Sequence, residues 1–462
     1  MSLRFLVLGW LWLLANSALA QPEVPPASSS ENAAQTAADA AQPAPAEASP
    51  SAPAIEPPPS PDAPPPAAEA LPASEAPETL ASSILSKIRI HGFVSEGAFK
   101  STANDYIGES SRGSFKLLET GLNVAMVPVD GLRVALQLVA RSVGTLSENV
   151  PRLDWAVIDY RLQRWLGMRA GLIKMPLGLY NEFVDIDSAR NAILLPQSLY
   201  PVRNRDALIA LMGFGVYGNL SLGAAGELEY NAWLGTLNIP RSALELSSNA
   251  RLDSVDTQYV TGARLFWLTP LEGLRFGVTY LRTVIDFYIS LDAATTSQVV
   301  MAQLAPADYD GKLKISQNPT SFWVASAEYI SGDWLFAAEY SRWLKYQEAS
   351  ITALVPTLDE DAERFYGMIN YRFSPHFELG TYYAVAHADV NDRAGKDKMR
   401  FKKRFYAFQR DLAATLRVDV NEYWLWKLEG HFIDGTAELL MTVNTDPKRY
   451  WGLFLLKTTV TF

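Results

Sequence analysis

The sequence predicts a 16-stranded antiparallel transmembrane β-barrel behind a disordered leader, and three observations predict it. Past residue 80, apolar residues recur with period two, as in a strand that shows alternate side chains to opposite faces. Seven short turn signals separate pairs of strand-like runs, with longer polar loops between the pairs. The chain is 48% hydrophobic and only 19% charged, with four His and no Cys. The missing cysteines exclude disulfides, zinc-thiolate sites, thiol catalysis and a lipoprotein anchor.

The elements follow in order along the 462 residues. Residues 1–20 carry Arg4, an apolar run from Phe5 to Leu14, and Ala18-Leu19-Ala20. A cationic start, a short apolar centre and small residues at −3 and −1 define a Sec signal peptide cleaved after Ala20. The run is too short for the ~20 residues of a membrane helix. Residues 21–84 form the next segment, and between Gln21 and Leu80 it holds 16 Pro, 18 Ala, nine Asp or Glu, no Lys or Arg and no aromatic residue. Such a stretch buries no core and repels itself, so it reads as a disordered periplasmic tether, with cell-wall contact left open. Of the formal net charge of −10, the tether contributes −9, Arg4 +1 and residues 81–462 −2. No basic face points to nucleic acid.

Residues 85–462 are read as the barrel. Leu132, Val134, Leu136, Leu138 and Ala140 alternate with Arg133, Gln137 and Arg141, giving one apolar and one partly polar face. The pattern returns in Phe365 to Phe373, in Trp424 to Phe432, and in Tyr450 to the terminal Phe462. The tight turns are Pro128–Gly131, Gln163–Gly167, Gly218–Gly223, Pro270–Gly273, Ser331–Asp333, Ser374–His376 and Val420–Glu422. Seven turns between eight hairpins give 16 strands, with 14 and 18 as the neighbouring counts. An even count with short turns on one side and long loops on the other is the plan of a Gram-negative outer-membrane barrel. A soluble sandwich would carry more charge on its polar faces. Among the runs past the leader, only Ala207–Gly226 lacks charge for the length of a membrane helix; five glycines mark it as two strands and a turn. Trp267, Trp334, Trp343 and Tyr450 suit aromatic girdles.

The stretch Leu132–Gln137, then Leu153–Ala156, Arg169–Asn181 and Leu195–Tyr200, resembles the porin superfamily that includes phosphate-selective porins O and P. Phe462 on an alternating strand resembles the C-terminal signal that the barrel-assembly machinery reads. The resemblance covers residue 87 to the end. It implies a homotrimeric diffusion channel in outer-membrane lipid, of 16 strands, whose third long loop folds into the lumen.

The stretch from Pro176 to Asp206 is the candidate third loop, and its charged set is Glu182, Asp185, Asp187, Arg190, Arg203, Arg205 and Asp206. Carboxylates facing guanidiniums across a gap would impose a transverse field, while salt bridges to the wall would simply fix the loop. Asp187 is placed to cap a short helix from Ala189 to Leu195. If the alternation holds, the pore wall carries Arg133, Arg141, Arg169, Arg264, Arg417, Lys427, Glu119 and Glu429, with Arg161, Arg275, Arg372, Asp159, Glu227, Glu229, Glu328, Glu339 and Glu378 beside them. Polar interiors of this kind hold water. Carboxylates interrupt any basic ladder, which favours a weakly selective channel for ions and small hydrophilic solutes over a phosphate-selective one. No cofactor, metal or nucleophile motif stands in a suitable context. The rival readings are a barrel enzyme of protease or lipase type, for which His387-Ala-Asp389 is the nearest fragment, and a structural envelope tether.

Overall fold

The computed structural model describes residues 87–462 except 145–148, 238, 240–249, 399 and 441–442. The expected signal peptide and tether lie outside the described residues. Sixteen strands are present: β1 (Ile88–Ser101), β2 (Leu117–Val129), β3 (Leu132–Val143), β4 (Arg152–Gln163), β5 (Leu166–Lys174), β6 (Ala210–Ser221), β7 (Glu227–Leu237) and β8 (Ala250–Leu268) form the first half. The second half is β9 (Leu274–Leu291), β10 (Lys312–Ser331), β11 (Trp334–Ala349), β12 (Leu358–Ser374), β13 (Phe377–His387), β14 (Phe408–Asp419), β15 (Trp424–Gly435) and β16 (Tyr450–Thr461).

Every strand pairs antiparallel with its neighbours, and β1 pairs with β16, so the sheet closes into a barrel with the expected count. Closure satisfies the backbone groups that an open edge would leave bare in hydrocarbon. The seam runs from Phe93 opposite Thr461 to Ser101 opposite Leu453. Beyond it, Gly92 N–H donates to Phe462 O at 2.9 Å and Phe462 N–H donates back at 3.0 Å.

All seven expected turns lie at one end of the barrel. At the first, Gly131 has φ of +79°, a conformation that a side chain disfavours. The turn expected at Gly218–Gly223 sits slightly later, between Ser221 and Glu227. The charge-free run Ala207–Gly226 is therefore one strand and a turn rather than two strands, and it starts in the four-residue helix α1 (Arg205–Leu208).

The outward face is apolar: Leu138, Ile158, Phe214, Leu234, Val278, Leu412, Leu428 and Phe454 are each more than a third exposed. Trp267, Trp334, Trp424 and Tyr450 also face outward, at the ends of this belt, as a girdle requires. Trp343 does not join them. It shares the inward parity of Glu339 and Ser341, stacks on Phe322 at 5.0 Å and lies under the Arg364 guanidinium at 4.3 Å. The longest strands are β8 to β12, and at the loop end β8, β9 and β10 enclose a small core of Leu252, Phe287, Ile289 and Leu313, capped by Val299 of α2 (Ala293–Met301).

Candidate functional site: the third loop and the barrel wall

The loop between β5 and β6, residues 175–209, is the longest connection in the barrel. It lies inside the lumen. Met175, Leu177, Leu179, Leu195 and Leu199 pack against the inward side chains Trp233, Val260, Phe266, Leu281, Phe322, Tyr366 and Met368. The lumen, expected to be polar and water-filled, therefore has an apolar layer at the level of this loop. The signal was present in the sequence, because Val260, Leu281 and Phe322 occupy inward positions of the alternation.

Polar contacts fix the loop on both sides of that layer. Wall carboxylates accept loop N–H groups: Glu339 Oε1 from Leu179 at 2.9 Å, and Glu429 from Ile193 at 2.7 Å and Leu194 at 2.9 Å. Wall cations donate to loop carbonyls: Lys427 Nζ to Asp187 O at 2.7 Å, Arg417 to Ser188 O at 2.8 Å, Arg364 to Ser198 O at 2.9 Å and Arg264 to Gly178 O at 3.3 Å. These backbone groups thus find partners in the wall instead of in a helix. This accounts for a local difference from expectation. The helix expected from Ala189 to Leu195 is not formed; a single 3-10 turn spans Asp187–Ala189 and Arg190 is extended.

All seven charged residues of the expected site are ion-paired. Glu182 meets Arg264 at 2.7 Å, and Asp185 meets Lys174 at 2.7 Å. Asp187 meets Lys457 at 2.5 Å and Arg190 at 2.8 Å. Arg203 meets Glu438 at 2.9 Å, Arg205 meets Asp154 at 2.6 Å, and Asp206 meets Arg141 at 2.9 Å and also Arg152. The opposite charges are in contact, not held apart across a gap. Burial works against ionising Asp187, but Lys457, Lys427 and Arg190 outweigh it and hold the carboxyl well below the usual carboxylate range. Asp206 behaves alike, with Arg141, Arg205 and Arg152 overcoming its burial.

The wall residues continue these contacts. Glu119 bridges Arg141 at 2.9 Å and Lys457 at 2.6 Å, Arg169 binds Asp159 at 3.0 Å, and Arg417 binds Asp419 at 2.8 Å. Arg133 stands apart, lining a cavity on the turn side of the loop with no ion-pair partner among the described residues. Sequence reading missed Asp154, Lys457, Glu438 and His431, whose imidazole lies 3.0 Å from both Asp411 and Glu429. Of the fragment named for an enzyme, His387 Nδ1 sits 3.2 Å from Glu363 while Asp389 binds Arg400. No serine hydroxyl bonds to either among the described residues. No group of His, Asp and Glu among the described residues is arranged to hold a metal.

Solved structures place this architecture. The anion-selective porin from Comamonas acidovorans matches with a TM-score of 0.50 at 10% identity, over 81% of this chain and 99% of that one. OmpF of Salmonella typhi, in complex with daunomycin, matches with a TM-score of 0.50 at 11% identity, over 81% of this chain and 97% of that one. The fold is that of an outer-membrane porin. At such identities the likeness extends to the barrel alone, and neither structure is of a phosphate-selective porin. No family model matches the chain, and no curated protein does.

Proposed function

We propose that this porin-type barrel is a passive, cofactor-free channel of the outer membrane, weakly selective and constricted by residues 175–209. The observation that carries the reading is the loop itself, folded into the lumen and bonded to β8 on one side and to β15 and β16 on the other. A plug meant to leave would not be tied down by buried ion pairs, which cost about 3 to 5 kcal/mol each to break. A fixed loop narrows the lumen permanently, and the apolar layer makes the remaining passage small. Planar-bilayer recording tests this: purified, folded protein gives stepwise ion conductance, and silence across a range of voltages sinks the channel reading.

The assembly proposed is a homotrimer. Glu96 and Lys100 are exposed on the outward face of β1, where Glu96 stands opposite Thr458. A charge on a lipid face costs up to about 2 to 4 kcal/mol for a midplane cation and less for a carboxylate. A second subunit against β1 relieves that cost. Cross-linking at Glu96→Cys yields covalent oligomers if so, and monomers only if β1 faces lipid. Residues 1–20 and 21–84 are proposed as cleaved signal and periplasmic spacer, so the mature protein begins at Gln21 on N-terminal sequencing.

A further inference from the structure

On the turn side of the third loop the lumen holds a cavity of about 490 Å³, roofed by Asp185, Asp187 and Ser188. That volume falls in the range of small-molecule sites, about 300 to 1,000 Å³. Three basic side chains project into it from the first strands: Arg89 and His91 of β1 and Arg133 of β3. None of the three has a hydrogen-bond or ion-pair partner among the described residues, and all three are exposed.

The carboxylates nearby are already spent. Asp185 is held by Lys174 at 2.7 Å and by the Gln137 amide at 2.7 Å. Asp187 is held by Lys457, Arg190 and the Thr459 hydroxyl at 2.8 Å. Asp159, the register partner of Arg133 on β4, is held by Arg169 at 3.0 Å and by the Tyr217 hydroxyl at 2.5 Å. Glu422, in the turn after β14, and the α-carboxylate of Phe462 are the remaining anionic groups in the lining, and neither forms an ion pair with Arg89 or Arg133. Arg89 and Arg133 are therefore the cations of the lining left without a counter-ion among the described residues. Guanidinium forks match carboxylate geometry and form charge-assisted bonds. Trp155 and Tyr423 offer apolar surface in the same wall.

We infer that this cavity is a binding site for small organic carboxylates, with the carboxylate between Arg89 and Arg133 and the apolar body toward Trp155. The assignment rests on the reading of the lumen as a solute path, and gives that path a preference at its turn-side mouth. It does not depend on the charged residues of the third loop, all of which are neutralised by partners.

The test uses benzoate and its neutral isostere benzamide, titrated calorimetrically into the full-length folded protein in detergent, with no voltage applied. Benzoate is expected to bind saturably and about tenfold tighter than benzamide, as one charge-assisted contact predicts. The preference vanishes in the Arg89→Gln/Arg133→Gln double variant, is partly kept in Arg89→Lys/Arg133→Lys, and is untouched in Arg251→Gln at the loop end of β8. Heat-modifiable gel mobility confirms that each variant is a folded barrel. Equal binding of the two probes, or a preference that survives the double Gln variant, overturns the inference. A protein that conducts without discriminating the probes loses this inference alone, and one that discriminates without conducting loses the channel reading alone.

Discussion

Asp187 Oδ2 lies 2.5 Å from Lys457 Nζ and so joins the third loop to the strand that closes the barrel. From this pair a chain of contacts continues through Glu119, Arg141, Asp206 and Arg205 to Asp154, returning to the loop at its far end. The middle of the loop and its far end are thus fastened to one network on β16, β2, β3 and β4. Replacing Asp187 by Asn leaves the buried Lys427 without its counter-charge and Lys457 with Glu119 alone. The expected loss is about 3 to 5 kcal/mol of local stability. Thermal unfolding followed by tryptophan fluorescence should report a lower midpoint for Asp187→Asn, and bilayer recordings a noisier open level. An unchanged midpoint with a quiet trace means that the pair does not anchor the loop.

The same network sets the acid response. Asp187 and Asp206 have depressed pKa values in the fold, so the unfolded chain binds protons first as the pH falls. Their contribution is fully present above the unfolded value of about 3.9, shrinks below it, and is lost as the pH passes through the folded values. Thermal midpoints at pH 7 and pH 5 should therefore agree as far as these two groups are concerned. A decline is expected to begin below about pH 4. In Asp187→Asn that acid-side decline should be shallower than in the wild type. A wild-type curve that already falls between pH 7 and pH 5, equally in the variant, would assign the acid sensitivity to other groups.

The constriction is tested by removing it. Lys174 and Ala210 are register partners on β5 and β6, so residues 175–209 can be replaced by a short Gly-Ser turn without stretching the sheet. The barrel should still close, since its backbone pairing is continuous through sixteen strands. Water then replaces the leucines that cover Trp233, Phe266 and Phe322, which lowers stability. Single-channel conductance should rise severalfold. If the shortened protein conducts like the parent, the narrow point lies elsewhere in the lumen.

The strands were legible in the sequence because a lipid belt demands one apolar face, and Leu132 to Ala140 can supply it in only one register. The turns were legible because a residue such as Gly131 answers a backbone requirement that few other residues meet. The lumen was less so. Asp154 lies at a break in register between β3 and β4, where Gln137 pairs with Trp155 and Leu138 with Leu153, so simple alternation misjudges its direction. Phe322 and Trp343 face inward on strands that are apolar on both sides, and parity alone does not say which side meets lipid. The charged residues of the loop were found, but their partners were not. Arg203 with Glu438, or Ile193 with Glu429, are contacts across more than two hundred residues that only closure creates.

The seam gives the last expectation. Phe462 contributes two backbone hydrogen bonds to Gly92, and its ring lies over that glycine so closely that a Cβ there would collide with it. Closure of β1 on β16 is also the step of largest sequence separation in the fold, and therefore the one with the greatest entropic cost before any contact rewards it. Deleting Phe462 removes the last pair of that seam together with its aromatic cover. Gly92→Ala instead retains Phe462 and its backbone groups while displacing chiefly the ring, with a tight approach to Gly121 O. Folding into detergent or lipid, followed by heat-modifiable gel mobility, separates the two effects. The deletion should slow closure and lower the folded yield, with Gly92→Ala between it and the wild type. Equal yields from all three would place the contribution of Phe462 outside the seam, in recognition by the assembly machinery alone.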